Sequence, residues 1–138
     1  MGWRDLLPIF LTVLTAVALI AGIVGAYLWL KRSARAAQER AFSGMEVFSE
    51  SGPGRVQVIF HTYYGFLVYF TQTEYRFWAS PEDARTVLWR LHRFNMLWGF
   101  FAAGALLIPL FSLGNYWAQL RSIRKQADGL EARLDKQR

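Results

Sequence analysis

The chain has 138 residues, 54% of them hydrophobic and 17% aromatic, with a formal net charge of +6 and no cysteine. That length suits one ordinary domain, and the missing cysteines exclude disulfides, thiolate nucleophiles, zinc ribbons and iron-sulfur clusters. The basic excess could suggest nucleic acid, but the cations gather beside the apolar runs, where anionic headgroups account for them, so no nucleic-acid partner is expected.

A short N-terminal tail (residues 1–7) leads into Pro8 to Leu30, an uncharged run of twenty-three residues. At about 1.5 Å per residue such a run spans about 34 Å, enough to cross a bilayer with some tilt. Its apolar core is longer than that of a secretory signal, and Lys31 and Arg32 follow it directly, so it reads as an uncleaved anchor. Gly2 does not make a myristoylation site, because Leu6 stands where Ser or Thr is wanted. Ala18, Gly22 and Ala26 recur every four residues, as do Gly99 and Ala103 further on; small residues at this interval let helix backbones approach closely.

Residues 31–93 form the expected extramembrane domain. A basic exit helix covers 31–43, and Gly52, Pro53 and Gly54 break the chain between Ser49 and Arg55. Val56, Val58 and Phe60 then alternate with Gln57, Ile59 and His61 in strand-forming vocabulary. Tyr63, Tyr64 and Gly65 are expected to turn the chain, and Phe66 to Phe70 to return it as far as Trp78. The result is an antiparallel hairpin over about 55–79, with Met45 to Phe48 as a short third strand. Nine of the twenty-one residues from Phe60 to Ser80 are aromatic. A domain this small has difficulty burying so much, so Tyr63, Tyr64, Phe66, Tyr69, Tyr75 and Trp78 are expected to meet a partner. Ser80, Pro81, Glu82 and Asp83 then supply a hydroxyl cap, a first-turn proline and two acids for a helix over 81–93.

No breaker separates that helix from a second uncharged run, residues 94–113, which is expected to be a second transmembrane helix kinked near Pro109. In the basic tail, residues 114–138, the spacing of Leu113, Tyr116, Leu120, Ile123, Ala127, Leu130 and Leu134 resembles a coiled-coil seam. Leu120, Ile123, Leu130 and Leu134 are the expected contacts with a partner or with a second copy in a homo-oligomer.

Chemistry-bearing residues are sparse. His61 and His92 could each ligate a tetrapyrrole metal, but neither has a CxxCH motif or a second histidine on its helical face, and a hydrogen-bonded structural role is the better reading. With the interfacial tryptophans Trp29 and Trp98 they are the weak candidates for contact with a cofactor, that is, with lipid or a partner's pigment or quinone. Glu82 and Asp83 are explained by capping, the remaining acids are scattered, and no serine sits in a glycine-flanked elbow. No catalytic residue, metal site or resident cofactor is expected, and the chain is not expected to be an enzyme.

The fold expected is therefore a mainly α membrane protein: two transmembrane helices flanking a small extramembrane domain with an aromatic antiparallel β-hairpin, then a C-terminal amphipathic helix. The function expected is that of a non-catalytic accessory subunit contacting lipid and other integral-membrane subunits. An energy-transducing photosynthetic or respiratory complex is the host expected from base rates, since such complexes recruit many small helical subunits. A module binding lipid, quinone or tetrapyrrole and a homo-oligomeric scaffold are the alternatives, the first marked by a co-purifying apolar molecule. One cation (Arg4) precedes the first run and four follow it (Lys31, Arg32, Arg35, Arg40), which places the loop domain on the cytoplasmic side of a bacterial inner membrane with both termini outside.

Overall fold

The computed structural model describes residues 3–66, 69–101 and 107–136. In chain order these form α1 (Trp3–Phe42), β1 (Val47–Phe48), β2 (Val56–Phe66), β3 (Tyr69–Ala79), α2 (Pro81–Trp98), a 3-10 turn (Gly99–Phe101) and α3 (Leu107–Asp135). The fold is mainly helical, with one small antiparallel sheet and one long apolar helix. The chain divides into two compact units, residues 1–33 and 34–138.

The first unit is the apolar part of α1. Among the described residues α1 supplies the one helix long and apolar enough to cross a membrane, with a mean hydropathy of 2.6 and none of that window buried. Leu6 to Ala26 are exposed without interruption. The hydroxyls of Thr12 and Thr15 donate to the carbonyls of Pro8 and Leu11, each at 2.8 Å. Such back-bonding satisfies a hydroxyl inside its own helix, as an apolar surround requires.

The second unit is built on the sheet. The strand order is β1-β3-β2, both pairings antiparallel. Val56, Val58, Phe60 and Thr62 are fully buried, and the register sets Val58 opposite Phe77 and Phe60 opposite Tyr75. This is the alternation of a strand with one covered face. Ala84, Val87, Leu88 and Leu91 of α2, Ile123 of α3 and Ala41 of α1 close that face, with Phe42, Tyr75, Tyr116, Leu120 and Leu130 at its margin.

The local signals around the sheet have clear structural counterparts. Arg55 N donates to Gly52 O at 3.2 Å, and Gly54, at φ +71°, takes the left-handed conformation that turn requires. At the start of α2, Asp83 N donates to Ser80 Oγ at 3.1 Å and Ala84 N to Ser80 O at 2.9 Å, with Pro81 in the first turn.

Two expectations need correction. Tyr63, Tyr64 and Gly65 do not turn the chain: β2 runs through them, and the pairing closes at Phe66 opposite Tyr69. Tyrosines fit a pleated surface better than a tight turn, and continuing the strand preserves the buried alternation. Residues 94–113 likewise do not form one helix, and a second transmembrane helix is not shown. α2 ends at Trp98, and α3 returns antiparallel to it, as the contacts of Gly99 with Ile108, Asn95 with Ser112 and Trp89 with Tyr116 require. Pro109 belongs to the first described residues of α3, and the residues before Leu107 lie outside the described set.

Candidate functional site

β2 is an edge strand, and three side-chain amides complete its open side. Gln57 N donates to Gln126 Oε1 at 2.8 Å, while Gln126 Nε2 donates back to Gln57 O at 3.1 Å. Ile59 N donates to Gln119 Oε1 at 3.3 Å. Asn95 bridges the next step, with Nδ2 donating to His61 O and Oδ1 accepting from Tyr63 N, both at 2.8 Å. Backbone groups of alternate strand residues point to the same side, so residues 57, 59, 61 and 63 present one row of donors and acceptors. A carboxamide carries the donor and acceptor of a peptide group in one plane, and Gln126, Gln119 and Asn95 therefore act as a substitute fourth strand. Open edges recruit other strands; this one is closed from within the chain.

The ladder continues into a buried polar cluster. Asn95 Nδ2 also donates to Ser112 Oγ at 3.0 Å, and Ser112 Oγ lies 2.9 Å from His92 Nδ1. Asn95 and Ser112 are essentially inaccessible, and His92 is 5% exposed and stacked on Tyr116 with 4.8 Å between ring centroids. Burial holds the His92 pKa below its ordinary value. A neutral ring accepting at Nδ1 from the Ser112 hydroxyl completes the chain of donors starting at Asn95. His92 thus occupies a hydrogen-bonded structural position.

The other cofactor candidates do not converge with it. His61 lies on the outer face of β2, with Nε2 3.2 Å from Glu74 Oε2, and Glu74 also accepts from Arg76 Nη2 at 3.1 Å. Trp98 stacks on Phe94 at 6.0 Å. Trp29 belongs to the first unit and is 65% exposed.

Of the aromatic residues expected to meet a partner, Tyr75 instead packs against the core beside Phe42, with ring centroids 5.1 Å apart, and burial raises its pKa. Tyr64 meets Phe94 edge-on at 6.4 Å. Tyr63 and Trp78 are half-buried. The side chains of Phe66 and Tyr69 lie outside the described set. On α3, Ile123 is fully enclosed and Leu120 and Leu130 lie against the core, while Leu134 is exposed. The middle of the heptad-like stripe therefore serves the chain's own sheet.

Among the small residues, Ala18, Gly22 and Ala26 are exposed, and a Cβ added at Gly22 would meet nothing within 4 Å. Gly99 is different, since a Cβ there would come within 2.6 Å of Ile108 Cγ2, so the close approach falls inside the α2–α3 hairpin. Ala103 lies outside the described residues.

At the end of that hairpin Leu97, Phe100, Leu107, Leu110 and Phe111 are between 51% and 69% exposed. Sequence inspection marked this stretch as apolar but could not locate its exposed face. The α2 helix runs antiparallel to the last turns of α1, because Arg90 reaches the Ala41 and Ser43 carbonyls, while Gln38 bonds Thr62 between the two strand residues, His61 and Tyr63, that Asn95 holds. The apolar hairpin end and Ala34, where the chain enters the second unit, therefore lie at the same end of that unit. Comparison with protein-family models, with curated proteins and with solved structures finds no match to this chain.

Proposed function

We propose that this chain is a non-catalytic accessory subunit of a larger integral-membrane assembly, held in the bilayer by α1 and seated in it a second time by the end of the α2–α3 hairpin. The observation that carries the reading is apolar surface left uncovered beside a finished core. Leu97, Phe100, Leu107, Leu110 and Phe111 form an exposed group on a unit whose own interior is already filled by Val58, Phe60, Leu88 and Leu91. Contiguous exposed apolar surface of this kind marks a membrane or protein contact. Lipid suits the hairpin end, because it lies at the end of the unit where the chain arrives from its apolar helix.

The first unit supports the subunit role. Its exposed face of Ala18, Gly22 and Ala26 has open space around Gly22 and suits another protein's helix. The four cations after the apolar run against the one before it support a folded unit on the cytoplasmic side of a bacterial inner membrane. Photosynthetic or respiratory energy-transducing complexes remain the leading hosts by frequency. Two full crossings are the alternative topology; the antiparallel contacts between α2 and α3 favour re-entry from one side.

Purification of the tagged full-length chain in mild detergent, followed by mass spectrometry, tests the role. A defined set of membrane proteins in fixed proportion is expected. Recovery of the chain alone, monodisperse and stable, would sink it.

A further inference from the structure

Within the second unit an open groove of about 370 Å³ runs between the last turns of α1 and the second half of α2. One end carries the guanidinium groups of Arg40, Arg90 and Arg93; the other is walled by Phe94, Leu97 and Trp98. The two ends differ in chemistry because the helices are antiparallel and α2 changes from basic to uncharged at Phe94.

Among the described residues these cations have no acidic counterpart. Among the described residues, ion pairs join Arg35 to Glu39, and Glu74 to His61 and Arg76; none involves Arg40, Arg90 or Arg93. Arg90 is anchored, its Nη1 donating to Ser43 O at 2.8 Å and to Ala41 O at 3.4 Å, which satisfies carbonyls at the end of α1 and leaves its remaining N–H groups to other acceptors. Arg40 and Arg93 are exposed. Three like charges around one groove repel each other unless an anion joins them, and guanidinium forks match phosphate oxygens. Leu97, 61% exposed, continues the apolar wall toward the hairpin end.

We infer that this groove binds one anionic phospholipid. Its phosphate lies among Arg40, Arg90 and Arg93, and an acyl chain lies along Phe94 and Leu97 toward the hairpin end. The inference rests on the membrane placement proposed above but not on the existence of a host assembly, so it stands or falls in the isolated protein.

Native mass spectrometry of the full-length chain in neutral detergent reads the site directly, with phosphatidylglycerol and phosphatidylcholine titrated separately. A single phosphatidylglycerol adduct is expected, with phosphatidylcholine binding much more weakly. Replacing Arg40→Gln and Arg93→Gln together should weaken the adduct by about 30-fold. Both side chains are exposed, so the melting temperature should not change. The control pair Arg35→Gln and Arg121→Gln removes the same charge away from the groove and should leave the adduct intact. Leu97→Asn should weaken phosphatidylglycerol without creating a phosphatidylcholine adduct. The inference is overturned if the groove variant retains the lipid, if the control pair loses it equally, or if inorganic phosphate displaces it completely, which would make this a site for free phosphate.

Discussion

Asn95 serves three partners from one buried amide, donating to His61 O and Ser112 Oγ while accepting from Tyr63 N. Asn95→Leu would leave His61 O and Tyr63 N unpaired and take from Ser112 Oγ one of its two partners. Each buried polar group left unpaired costs about 1–3 kcal/mol. Urea unfolding of the chain in detergent should therefore show a larger loss for Asn95→Leu than for Gln126→Leu, whose partners Gln57 N and O and Ser122 Oγ are all partly buried. His92 adds a pH dependence. Its folded pKa lies below the ordinary histidine value of about 6.5, so the unfolded chain binds the extra proton first. The stability it contributes is complete above that value and is lost as pH falls through the folded pKa. Melting temperature should drop between neutral and mildly acidic pH, and His92→Gln should flatten that slope.

At the scale of elements, Gly99 after α2 and Ile108 of α3 make a close approach. Gly99→Ala drives a Cβ to 2.6 Å from Ile108 Cγ2, on a β-branched side chain with little freedom to move. Overpacking of this kind costs about 1–3 kcal/mol. Adding Ile108→Ala removes the clashing methyl group, so the double variant should be more stable than the sum of the two single losses predicts. Strict additivity in denaturation would show that Gly99 and the Ile108 side chain do not meet there. The start of α2 is simpler: Ser80→Ala removes the hydroxyl that accepts from Asp83 N and should cost about 1 kcal/mol, read from the same melts. That cap was legible in the sequence because it uses residues adjacent in the chain. The amide ladder was not, since Gln57 and Gln126 are sixty-nine positions apart and a glutamine on a basic helix looks like any solvated residue.

For the whole molecule, the proposed re-entrant hairpin implies one crossing where the sequence suggested two. A helical hairpin that re-enters the bilayer leaves the C-terminus on the side of the folded unit, whereas two crossings carry it to the other side. A green fluorescent protein fused after Arg138 should fluoresce in cells, and an alkaline phosphatase fused there should be inactive. The reverse pattern would restore the second crossing. The heptad-like tail bears on the same question, because Ile123 is enclosed by its own chain and little of that stripe is left to bind a second copy.

Local pattern alone was enough for the apolar helix, the alternation of β2, the glycine turn before it and the cap of α2. Each is read within one period of a helix or strand, over a few residues. Tertiary structure decided what depends on residues distant in the chain. It folded the run from Phe94 to Leu113 back on itself, because Gly99 and Ile108 meet and Asn95 finds Ser112. It turned the inner tail stripe onto the sheet, because β2 had an open edge to close and a face to cover. It also gathered Arg40, Arg90 and Arg93 around one groove, since antiparallel α1 and α2 bring together charges that lie fifty positions apart along the chain.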